Sequence, residues 1–272
     1  MSWTQVAGRA YWIVFAGAFL VVATWESHRP TRRLSVREER RWSRHGVMMA
    51  LGFTLTAALY RVSPALMAVT VASSELGVLN RAWLPLAARW ALAILLLDLV
   101  RYAVHLAHHS VPLLWRVHQV HHSDPDLDAS TGARFHPIEL IVTQGAYLAA
   151  IAVLAPPVGA VVVTELLFGF QSVFSHANST LPDRIESVLR LVWVTPSMHR
   201  IHHSDRVREQ GGNLGDLLSW WDRLFRTYVA APEAGLKAMR PGLEGFQNES
   251  SLDLGFMLGL PFRRRSEESL SS

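Results

Sequence analysis

Six apolar segments recur along the 272-residue chain, at Ala10–Trp25, Gly46–Tyr60, Ala65–Leu79, Leu84–Val104, Ile138–Ala155 and Val158–Phe174. A helix that crosses a bilayer needs ~20 mostly apolar residues, with ~17 as the lower limit. Gly46–Tyr60 and Ala65–Leu79 have 15 residues each, with Arg61 and Pro64 between them. Together they make either one kinked, tilted span or a span followed by an interfacial helix. Pro156-Pro157 divides the last two segments into a tight helical hairpin. The polar stretches Ser110–Pro137 and Ala177–Arg240 lack strand alternation, so helices are expected there too. The expected fold is all-α: a polytopic transmembrane protein of about four to five spans with a helical cap on the cytoplasmic side.

Composition agrees. Charged residues make up 18% of the chain, below the roughly 25% of soluble proteins, and the mean hydropathy is +0.18. The formal net charge is +4, and Lys237 is the single lysine, so arginine carries nearly all the positive charge. A basic balance can mean nucleic acid. Here the arginines flank apolar runs and form no groove-reading motif, so membrane topology explains them and no nucleic-acid partner is expected. The chain has no cysteine, which excludes disulfides, thiolate zinc sites, iron–sulfur clusters and cysteine nucleophiles. No small-residue cleavage site follows Ala10–Trp25, and an arginine-rich segment does, so that stretch is expected to be a retained span.

Seven arginines lie between His28 and His45, and the positive-inside rule assigns that loop to the cytoplasm. One out-and-back excursion returns the chain to the same side by His105, and the 138–174 hairpin returns it again by His176. The expected organisation is 1–93 as spans and basic loop, 94–228 as a histidine-box domain, and 229–272 as a cytoplasmic segment. Its tail, Arg263–Ser272, is read as disordered.

The chain has 13 histidines, and most sit in three boxes. His105 and His109 are four apart. His118, His121 and His122 are spaced i, i+3, i+4, and His199, His202 and His203 repeat that spacing. Positions three and four apart share one helix face, so each box aims its imidazoles in one direction. With about four to six ligands per ion, eight converging imidazoles imply two ions. His136, in "RFHP", and His176, in "SHAN", are further candidates. His28 and His45 are read as ordinary surface or core histidines, and His108 points away from the face that His105 and His109 share. Packed cationic imidazoles would repel one another, whereas metal binding stabilises the neutral form. Among the carboxylates Asp98, Glu139, Asp205, Asp216 and Asp222, some are expected to orient ligand rings.

The motifs "DLVRYAVHLAHH", "PLLWRVHQVHHS", "RFHPIE", "SHAN", "TPSMHRIHHS" and "GGNLGDLLSWWDRLFRT" occur here in this order. In that order they resemble the fatty acid hydroxylase/sterol desaturase superfamily over about Ile94 to Tyr228. The resemblance implies an integral-membrane, non-haem di-iron oxidase. Such an enzyme uses O2 and electrons to hydroxylate or desaturate a fatty acyl or sterol-like lipid. It implies His105, His109, His118, His121, His122, His199, His202 and His203 as ligands of two Fe ions, joined by His136 and His176. It also implies a membrane lipid as substrate and a separate ferredoxin- or cytochrome-type electron donor. Leu106 stands where the family often has arginine, Asp128 where it often has asparagine, Leu214 where it often has tyrosine and Arg226 where it often has glycine. Hydroxylation is favoured over desaturation, because desaturation must remove a second hydrogen from the neighbouring carbon and so needs tighter register. Two readings of other classes are weaker. A membrane zinc hydrolase would carry an H-E-x-x-H helix or an equivalent, which is absent. A metal transporter or sensor would place its ligands within spans near the midplane, whereas these lie beyond the span ends.

Overall fold

The computed structural model describes residues 3–72, 77–81, 83–236 and 238–263. Its regular elements in chain order are α1 (Trp3–His28), α2 (Glu38–Tyr60), α3 (Pro64–Val71), the single turn α4 (Val78–Arg81), α5 (Leu86–Ser110), α6 (Pro112–His122), α7 (Pro137–Leu154), α8 (Val158–Phe174), α9 (Asp183–Leu189) and α10 (Pro196–His202). Short helical turns follow towards the C-terminus. Among the described residues there is no strand, only isolated bridges between Trp193 and Leu218 and between Ser204 and Pro241. The fold is therefore all-α.

Four helical stretches are long and apolar enough to cross a membrane: Gln5–His28, Glu38–Val71, Leu86–Ser110 and Pro137–Leu154; Val158–Phe174 is a shorter apolar helix. Their outward faces carry exposed Ile13, Leu20, Val21 and Leu59, the arrangement of helices solvated by lipid rather than water. The chain is a multi-pass integral-membrane protein.

The breaks follow local chemistry. Arg61 closes α2 in the left-handed region, at φ 54, and Ser63 caps α3 by accepting from the Leu66 N–H. The break between the two apolar segments thus falls at residues 61–63. Proline occupies the first turn of α3, α6, α7 and α10, where its missing N–H would be unpaired in any case. Ala155 ends α7 at φ 44, and Pro156-Pro157 makes the expected hairpin into α8. Helix α1 packs on α8 and α2 on α7, with α5 touching α6, α7 and α8. The central core joins Leu97, Tyr147, Ile151, Val161 and Phe168 with Leu217 from the polar region.

The C-terminal residues are part of this body: Met257 and Leu260 pack with Met48 of α2 and Val120 of α6. Of the tail expected to be disordered, residues 264–272 lie outside the described residues.

Candidate metal centre

The first box rides on the last two turns of α5. Val111 leaves the helix in an extended conformation and Pro112 starts α6, so the chain folds back sharply. The second box then faces the first, with the His118 ring centroid 5.0 Å from His105 and 4.8 Å from His109. The third box sits on α10, which Thr195 caps by accepting from Met198 N–H.

These elements sort nine imidazoles into two groups: His105, His109, His118, His122 and His202 in one, and His121, His176, His199 and His203 in the other. Within each group the candidate ligand nitrogens all lie within 4.8 Å of one another. The neighbours His121 and His122 go to different groups, and so do His202 and His203. Ring planes 89° and 90° apart aim each pair in two directions. All eight box histidines and His176 are thus brought together. His136 is not. It caps α7, its Nδ1 accepting from the Ile138 N–H, and its Nε2 lies 3.4 Å from the Leu258 carbonyl. His108 also stands outside both groups, its Nδ1 donating to the Val104 carbonyl.

Hydrogen bonds at Nδ1 fix the tautomers of four of these rings. Nδ1–H of His105 donates to the Leu214 carbonyl (2.8 Å), that of His202 to Gly212 (3.0 Å) and that of His176 to Ser172 (2.7 Å). His118 Nδ1 donates to Glu139 Oε1 at 2.6 Å. Each such bond leaves Nε2 as a bare lone pair, the form a metal takes. Burial lowers the pKa of His118 to about 3 and that of His176 to about 4. Burial first, and then the neighbouring imidazoles, hold His121, His122, His199 and His203 well below the ordinary histidine value.

The nitrogens fit an ion better than they fit each other. His176 Nε2 is 3.1 Å from His121 Nε2 and 3.0 Å from His199 Nε2, which is 3.2 Å from His203 Nε2. One ring nitrogen either donates or accepts. It has one N–H or one lone pair, and each of the middle two faces two partners, so the three contacts cannot all be proper hydrogen bonds. Metal–nitrogen bonds of ~2.0–2.1 Å put neighbouring ligand nitrogens about 2.8–3.4 Å apart in octahedral or tetrahedral geometry. In the other group the Nε2 atoms of His109, His118, His122 and His202 are buried without a partner, where an unsatisfied polar atom costs ~1–3 kcal/mol.

Of the carboxylates expected to orient ligands, Glu139 does so, on His118. Asp98 instead accepts from Leu217 N–H, Leu218 N–H and Trp221 Nε1–H, and Asp222 from Leu214 N–H and Gly215 N–H. Both pin the backbone that presents the Leu214 carbonyl to His105. Asp216 pairs with Arg101, and Asp205 receives Gln247.

Residues 90–227, half of the chain, match the family described as fatty acid hydroxylase. The chain belongs to that family. Relatives within it include the ornithine lipid hydroxylase OlsE of Rhizobium tropici, 26% identical over 83% of this chain and 66% of its own length. The alkylglycerol monooxygenase of Homo sapiens is 32% identical over 53% of this chain and 31% of its own length. The chain thus spans just under two thirds of the first and less than a third of the second. No solved structure matches it. By their descriptions these relatives are a lipid hydroxylase and a monooxygenase. Its departures from the family pattern have local counterparts. Asp128 receives Arg41 Nε at 2.7 Å, and Arg226 adopts φ 63, the left-handed region that favours glycine.

A cavity of about 510 Å³ lies among α1, α2, α7 and α8. Phe135 and Ser172 form part of its wall. The Phe135 ring stacks on His121 at 4.4 Å, and the Ser172 carbonyl holds His176. The cavity therefore abuts the second histidine group.

Proposed function

We propose that the chain is a di-iron oxygenase that hydroxylates a C–H bond in a lipid held in the apolar cavity. The observation that carries the reading is the sorting of nine imidazoles into two groups, one of them in contact with Phe135 and Ser172 of the cavity wall. Family membership supports iron and O2. Imidazole alone suits iron, zinc and copper alike. The proposed ligand set is His105, His109, His118, His122 and His202 for one ion and His121, His176, His199 and His203 for the other. The geometry gives His136 a capping role instead. Bound iron would supply the redox chemistry that unactivated C–H bonds require. The overall change is R–H + O2 + 2 e− + 2 H+ → R–OH + H2O, the electrons coming from a separate ferredoxin- or cytochrome-type donor.

The chain's own residues bind and orient. The carbonyls of Leu214, Gly212 and Ser172 and the Glu139 carboxylate hold ligand rings in one tautomer. Trp12, Phe15, Phe53 and Phe168 line the cavity, so a lipid chain can reach the site from the bilayer without crossing water. Arginine bias in the 28–45 loop supports a cytoplasmic histidine face, where reduced electron donors are found.

Membranes containing the protein, a reductase system and 18O2 should yield a lipid carrying one 18O. An unsaturated, unlabelled product would replace hydroxylation by desaturation. No lipid change with any donor would favour a metal-binding protein that is not an enzyme.

A further inference from the structure

The cavity that abuts the histidines is not apolar throughout. Glu165 lines it, near the middle of α8, with Tyr147, Gln144 and Thr143 from α7 beside it in the wall. An acid at that depth of an apolar helix is expensive unless it is paired or used. Its pairing is incomplete. Arg101 is the cation whose field reaches Glu165, but Arg101 Nε is bonded to Asp216 at 2.7 Å and its guanidinium lies 5.0 Å from the Phe168 ring centroid. Arg101 is thus shared between Asp216 and Glu165. The Tyr147 hydroxyl is buried beside it. Among the described residues, Glu165 thus lines the cavity with the Tyr147 hydroxyl as its hydrogen-bonding neighbour and a shared Arg101 as the cation acting on it.

We propose that Glu165, with Tyr147 and Gln144, is a polar subsite that takes a hydrogen-bond-donating group, a hydroxyl or an amine, carried by the lipid. The inference rests on the hydroxylase reading and narrows its substrate class. A lipid with such a donor on its chain or ring system is favoured over a plain hydrocarbon chain. Glu165, Phe168 and Ser172 lie on one face of α8 at i, i+3 and i+7. Seven residues at ~1.5 Å each put the acid ~10 Å from the Ser172 end that adjoins the metal centre. The donor group would thus fix which carbon, about two helical turns away, lies against Phe135 and the second histidine group.

Three probes of equal chain length separate the possibilities: hexadecanol, hexadecylamine and hexadecane, offered to the detergent-purified protein at matched concentrations, with bound probe counted by mass spectrometry. Wild type should retain the alcohol and the amine over the alkane by about tenfold or more, the range of a hydrogen bond to a charged group. Glu165→Leu should abolish the preference. Glu165→Gln, which keeps the shape and an acceptor oxygen, should keep the alcohol and lose the amine advantage. If Glu165→Leu fails to fold, judged by its metal content, the Glu165→Gln result decides alone. No preference in wild type overturns the subsite, as does an unchanged preference in Glu165→Leu or an undiminished amine advantage in Glu165→Gln. Binding is read without turnover, so the two readings fail separately. Selectivity without oxidation of any lipid would sink the hydroxylase reading alone, and oxidation without selectivity would sink the subsite alone.

Discussion

Two buried polar clusters sit side by side under the helix ends, and they are built on opposite principles. In the first, Arg41 is wholly buried and donates to Asp128 (2.7 Å), to both oxygens of Asp124 (2.6 and 3.0 Å) and to Thr131. His45 bonds Ser130, and Arg134 reaches the Val120 and Ser251 carbonyls and Ser123. Burial pushes the Asp124 carboxyl up, but Arg41, His45 and Arg134 together hold it well below the usual carboxylate range. Among these residues no buried side-chain nitrogen or oxygen lacks a partner. In the second cluster, the histidines, lone pairs converge on shared points and several nitrogens have no partner. A satisfied buried cluster holds a fold together; one whose Nε2 atoms converge without partners is arranged for a ligand.

Breaking the second cluster should have the largest effect on function. His121→Ala and His202→Ala each remove a ligand from a different group. Each should lower metal content from about two ions per chain and abolish turnover, while His28→Ala, on the exposed end of α1, should change neither. Full metal retention in both variants, read by elemental analysis, would collapse the distinction between the clusters. Breaking the first cluster should instead unfold the protein. Arg41→Met leaves two buried carboxylates without their cation, a loss of about 3–5 kcal/mol seen as a lower unfolding midpoint in detergent. The fraction that remains folded should still carry its metal. Glu139→Gln tests the border between supporting and supported residues. It weakens the acceptor for His118 and should loosen metal by about 10–100-fold in a chelator competition, with little change in thermal midpoint. His136→Ala should matter least: about 1 kcal/mol from a lost helix cap and unchanged metal content. Loss of one ion in that variant would return His136 to the ligand set.

The histidine cluster was legible because its information is local. Spacings of three and four residues dictate a shared face, and three such boxes need only be folded together. His176 stood outside the boxes, so spacing alone offered no argument for it; it reaches the second group from just beyond the end of α8. The arginine cluster was illegible for the converse reason. Arg41 looks like one of seven basic residues in a loop, and nothing near it marks a partner more than 80 positions away. The signal available was the run Asp124, Asp126 and Asp128 directly after the second box, three acids that burial would require to be paired. His45, read as an ordinary surface or core histidine, is a core one, wholly buried and bonded to Ser130. Helix α2 starts at Glu38, well before its apolar segment, and so carries both residues into the cap. Arg61 and Pro64 mark a discontinuity in the sequence but not its geometry, the αL turn at Arg61.

The two histidine pairs that split between the groups would make two bound ions mechanically interdependent. His121 and His122 share one backbone turn, as do His202 and His203, so an ion seated in either group orders α6 and α10 for the other. The second ion then meets ligands whose ordering is already complete and binds more tightly for it. Metal titration of the stripped protein should accordingly be sigmoidal, passing from empty to doubly loaded chains with few singly loaded ones between.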